Sequence, residues 1–143
     1  MKYWKIGSRW NKYGDKNKSV LNIFYNNNIV FAKEENDARR ILNEVNENDV
    51  IAIANGREIV AIGIVKRPPT MLNKVSLRLD KEDEKIFSYD EEKDDTEAVE
   101  VDIYLCTPHI TYNHTGRFCK IQDNEIKEQI NAFLSQIKKA ERR

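Results

Sequence analysis

The sequence predicts an α+β domain: a small bent β-barrel flanked by helices. Three observations lead there. Residues 50–65 form an apolar hairpin, several other short runs are rich in β-branched and aromatic residues, and three stretches carry apolar residues at helical spacing. At 143 residues the chain fits one domain, expected to span 1–143.

In chain order, Tyr3-Trp4-Lys5-Ile6-Gly7-Ser8 reads as a short strand broken by Gly7. The polar run Asn11–Lys18 reads as a loop, after which Ser19 caps a helix carrying Val20, Leu21, Ile23 and Phe24 on one side. Asn26-Asn27-Asn28 ends that helix, because short amides tolerate left-handed backbone. Ile29-Val30-Phe31-Ala32 is a second strand, and residues 34–47 form a helix with Ala38, Ile41, Leu42 and Val45 inward.

The hairpin follows, Val50–Ala54 and Ile59–Val65 across Asn55-Gly56, whose residues supply positive φ for a tight turn. Its continuous apolarity implies that both faces are covered, as in a barrel wall. Pro68-Pro69 stops it. Val75-Ser76-Leu77-Arg78-Leu79 and Val99–Leu105 alternate as strands, and the acidic run between them reads as a solvated loop. From Asn124 onward, Ile126, Ile130, Phe133, Leu134 and Ile137 make a closing amphipathic helix.

Composition narrows the function. No apolar run reaches the roughly 20 residues of a membrane span, and the N-terminus lacks a secretory apolar stretch, so the cytoplasm is the expected location, with no membrane partner. Two cysteines do not make a disulfide scaffold. The formal net charge is zero, yet residues 1–20 carry +5, residues 80–100 carry −8 and residues 117–143 carry +3. A local basic face can still meet a phosphate chain.

Cys106, His109, His114 and Cys119 lie within fourteen residues as C-x2-H-x4-H-x4-C. The residue types suit zinc but the spacing is not that of paired knuckles, and no metal is expected. No phosphate-binding glycine loop, nucleophile elbow or H-E-x-x-H helix is present, so neither a cofactor nor a catalytic constellation is expected. Aromatic residues are the more informative set: Tyr3, Trp4, Trp10, Phe31 and Tyr104 stand at predicted strand ends or in loops, where rings can stack a nucleobase. Trp10 beside Arg9, in a basic loop, is the strongest of them.

Tyr3–Ser8, Ile29–Ala32, Asn48-Asp49-Val50-Ile51 and Ile59–Val65 followed by Pro68 resemble, in order, the EVE family of PUA-like domains. Asn48 stands where that family usually has Gly. The related YTH domains show a similar order, with Ser8 and Phe31 near their lysine-serine and cage-tryptophan positions, and Val101–Cys106 resembling a later strand. Here Gly7 replaces the lysine and Phe31 the tryptophan, which favours the EVE branch.

The resemblance implies a non-catalytic reader of a modified base, with modified cytosine in DNA favoured over RNA, in a restriction or phage-defence setting. The base would be flipped into a pocket of Ser8, Arg9, Trp10, Phe31, Asn55 and Tyr104, while Lys12, Lys16 and Lys18 hold phosphates. The expected partner is nucleic acid carrying that base, together with a fused or associated effector if this is the N-terminal module of a longer protein. The alternatives are a small ASCH-type hydrolase acting on a nucleoside and a protein-interaction domain using the acidic segment.

Overall fold

A computed structural model describes residues 1–9, 19–32, 35–87, 96–113 and 118–141. Strands β1 (Tyr3–Gly7), β2 (Ile29–Ala32), β3 (Val50–Asn55), β4 (Glu58–Val65), β5 (Thr70–Met71), β6 (Glu97–Thr111) and β7 (Phe118–Lys120) form one sheet. Helices α1 (Leu21–Asn27), α2 (Glu35–Glu44), α3 (Lys81–Ile86) and α4 (Asn124–Glu141) accompany it. The strand order is β2-β6-β4-β3-β1-β7, with β5 added to β6, and the sheet curls into a half-barrel. Among the described residues every strand pairing is antiparallel except β1 with β3, whose register sets Tyr3 opposite Val50 and Gly7 opposite Ala54.

The hairpin is central, and its apolar continuity has the expected cause: both faces are covered. Successive side chains alternate between faces. Ile51, Ile53, Ala61 and Val65 join a core with Trp4, Ile6, Phe24 and Phe31, while Val50, Ala52, Ile59 and Ile62 join a second core closed by Ile126 and Ile130 of α4. A bulge between Ile53 and Ala54 and another between Ile59 and Ala61 bend the wall where it curls.

Several elements differ from the sequence expectation. The turn residues are Gly56 and Arg57, because Asn55 already pairs with Glu58 as the last residue of β3. Only Gly56 takes a positive φ, +68°, as in a turn that needs glycine at its first central position. Helix α2 stops at Glu44, since Asn46, Asn48 (φ +69°) and Asp49 form the turn into β3. Residues 75–79 bury Val75, Leu77 and Leu79 partly against the core, as alternation predicts, yet form no strand. The Asn27 side chain stands in for a neighbouring strand there: its Oδ1 accepts from Arg78 N at 2.7 Å and its Nδ2 donates to Arg78 O at 3.0 Å.

The acidic segment is also not all loop. Asp80 caps α3 by accepting from Asp83 N at 2.8 Å, and Glu82, Asp83 and Glu84 occupy the first turn, where the helix dipole favours carboxylates. Phe87 anchors the far end in the core. Strand β6 runs well past the expected Leu105, to Thr111. Asp123 caps α4, its Oδ1 accepting from Glu125 N at 2.9 Å.

Candidate nucleic-acid interface

Three of the six predicted pocket residues converge where the parallel strands β1 and β3 end. Ser8 follows β1 and is fully buried; its N–H and its hydroxyl both donate to Ala54 O, at 2.8 and 2.9 Å. The Ser19 hydroxyl lies 3.4 Å from Ser8 Oγ, and Ser19 Oγ accepts from Leu21 N at 3.2 Å. Ser8 therefore ties the end of β1 to β3 and to the entry of α1, and its hydroxyl proton is already committed to Ala54. Arg9 is exposed and forms an isolated antiparallel bridge with Ser19. Its Nε donates to Asn55 Oδ1 at 2.7 Å.

Gly56 completes this corner. A Cβ placed there would stand 3.1 Å from Arg9 Cζ and 3.2 Å from each Nη. Nearly equal distances to three coplanar atoms mean that the guanidinium lies flat on Gly56. The positive φ favours glycine at this position, and the missing Cβ leaves room for the guanidinium to lie close. Beside the corner, Arg57 occupies the turn and accepts from Tyr112 N at 2.8 Å through its carbonyl, and His109 Nδ1 lies 2.8 Å from Glu58 Oε2.

Phe31 and Tyr104 do not join this corner or each other. Phe31 is fully buried, edge-on to Phe24 with ring centroids 4.9 Å apart and tilted against Phe87 at 5.0 Å. It sits on β2, at the opposite end of the strand order from β1 and β7. Tyr104 is half-buried and pairs with Ile62, which places it on the α4 face of the sheet, whereas Phe31 belongs to the other core. The neighbouring Leu105 takes the other face, opposite Ala61, and is 53% exposed. Period-two alternation in β6 was legible in the sequence, but which parity faces inward was set by its register with β4.

Trp10, Lys12, Lys16 and Lys18 lie outside the described residues, as does His114. Trp4 is fully buried: it stacks on Phe118 at 5.1 Å and 8°, with the Arg40 guanidinium 5.8 Å from its ring centre. Among the described residues no cluster of three or more His, Cys, Asp or Glu is placed to hold a metal ion. Cys106 is buried under α4, where desolvation pushes its thiol pKa up, and Cys119 is half-buried on β7. Lys5, opposite Cys119 in the β1–β7 register, is buried, and desolvation pushes its pKa down. No described helix is long and apolar enough to cross a membrane. No family model matches this chain, and no curated protein matches it.

Proposed function

We propose that this chain is a PUA-like, EVE-type module that binds nucleic acid and reads a modified base, with modified cytosine in DNA as the favoured ligand. The observation that supports this reading is the meeting of Ser8, Arg9 and Asn55 at one corner of the curled sheet. In sequence, the basic segment 10–18, with Trp10, Lys12, Lys16 and Lys18, runs between Arg9 and Ser19, which pair with each other at that corner. An arginine, a stackable indole and three lysines within ten consecutive residues are the side-chain types that hold a strand and stack an extruded base. In this reading Trp10 is the stacking residue and Phe31 supports the core behind the site. Tyr104, on the α4 face, takes no part.

The test is binding of matched oligonucleotides with and without a modified cytosine. Trp10→Ala should cost roughly 1–3 kcal/mol on the preferred modified ligand and less on the unmodified one, since stacking exists only once a base is extruded. Lys12→Ala or Lys16→Ala should weaken both about equally and flatten the salt dependence by about one phosphate contact. Equal, uniform losses from all three would show that no base is read.

A further inference from the structure

We infer that the Arg9 guanidinium is a preset fork for one backbone phosphodiester, and that Asn55 and Gly56 are the positioning residues that set it. The inference rests on the nucleic-acid reading above and adds which chemical group this arginine takes. A guanidinium carries five N–H donors in one plane. Here Nε is committed to Asn55 Oδ1 at 2.7 Å, which fixes the rotation of the group within its plane. The flat contact with Gly56, at 3.1–3.2 Å from the position a Cβ would occupy, fixes the tilt of that plane. With Nε held, the Nη1 and Nη2 N–H groups are the donors that the Asn55 bond does not use. Two parallel N–H donors on these nitrogens match two non-bridging phosphate oxygens, a pairing that is both stronger and more directional than a lysine contact.

Two features favour phosphate over a base edge. Arg9 is exposed beside the hairpin turn, a setting that suits an outlying backbone, whereas a flipped base has to be enclosed to repay its unstacking. The Glu58 carboxylate, which closes the hairpin turn, is already engaged with His109 Nδ1 at 2.8 Å. Holding the fork before binding spares the ordering cost of a long flexible side chain. Arg9→Lys keeps the charge but loses both the Asn55 bond through Nε and the fork.

The experiment uses the full chain and a short DNA duplex containing one 5-methylcytosine, synthesised as a series in which each phosphodiester in turn is an uncharged methylphosphonate. Inorganic phosphate and cytidine monophosphate serve as competitors. Wild type should lose roughly tenfold or more in affinity at one linkage, or at two adjacent ones. Arg9→Ala should lose a similar factor on the unsubstituted duplex and be indifferent to substitution at that linkage. Arg9→Lys and Asn55→Ala should fall between, with melting temperatures near wild type, and Gly56→Ala should repeat the loss with some added destabilisation from its positive φ. Neither small competitor should displace the duplex at micromolar concentration; displacement by either would mean an isolated anion site, against the proposal. If Arg9→Ala erases discrimination between methylated and plain cytosine while staying sensitive to the same linkage, Arg9 reads the base, and the inference fails while the reader stands. If wild type binds no member of the series, both fail.

Discussion

Trp4 Nε1 donates to Asp49 Oδ2 at 3.1 Å, and both residues are buried. The same carboxylate accepts from Lys2 N at 3.0 Å and from Asn46 N at 2.9 Å. One side chain thus ties the start of β1 to the turn that launches β3, next to the parallel pairing of β1 with β3. Because β1 and β3 run parallel from this knot, their far ends arrive together and bring Arg9 to Asn55. The corner carrying the proposed site is held in part from the opposite end of the strands.

Removing that carboxylate should be costly. Asp49→Ala leaves three buried or half-buried N–H donors without an acceptor, and unfolding in urea should show a loss of roughly 2–4 kcal/mol. Trp4→Phe removes one donor and keeps much of the ring, so it should cost less. Equal losses would place the energy in ring packing and not in the hydrogen bonds.

Phe31 and Arg9 should separate cleanly. Phe31→Ala empties a fully buried site between Phe24 and Phe87 and should cost about 3–5 kcal/mol of stability. Phe31→Leu should restore most of it and bind oligonucleotides as wild type does. Arg9→Ala should barely move the melting temperature while weakening binding. Retained stability in Phe31→Ala would mean that the ring lines a cavity and does not fill the core.

Asp83 carries a pH signature. Burial first, then the neighbouring Asp80 and Glu82, raise its pKa above the ordinary carboxylate range, and its Oδ2 is buried with no hydrogen-bond partner. Glu97, also raised by burial, acts in the same direction. For a raised acid the native state binds its proton before the unfolded state does, so stability rises as pH falls from above the raised value toward about 4. Asp83→Asn should flatten that part of the stability curve and leave stability at pH 7 unchanged or higher. A slope unchanged by the substitution, measured by urea titration at several pH values, would remove Asp83 as its source.

The two thiols should react unequally. Cys106 is sealed beneath α4, its Sγ 3.5 Å from Pro108 O and its pKa raised by desolvation, while Cys119 is half-buried on an edge strand. Iodoacetamide under native conditions should label Cys119 first, with Cys106 following only on unfolding. Peptide mass mapping against time decides this, and faster labelling of Cys106 would mean that α4 opens readily from the sheet.

By itself the sequence determined the α+β class, the central hairpin, the bounds of β2 and the start of α4. The reason is local: apolar period and turn residues such as Asn28 act over a few positions. It also determined that Arg9 sits in a basic stretch beside the first strand. Only the tertiary structure decided which side chains share a place. Phe31 and Tyr104 look alike as strand aromatics, yet register and sheet curvature bury one in the core and turn the other toward α4. Val75–Leu79 alternates like a strand but finds the amide of Asn27 as its partner instead of a ladder. Arg9 and Asn55 are 46 residues apart, and nothing local in either segment encodes their bond; it follows from the parallel register of β1 on β3. Pairing between distant strands is a property of the whole sheet, and that is where the corner at Arg9, Asn55 and Gly56 originates.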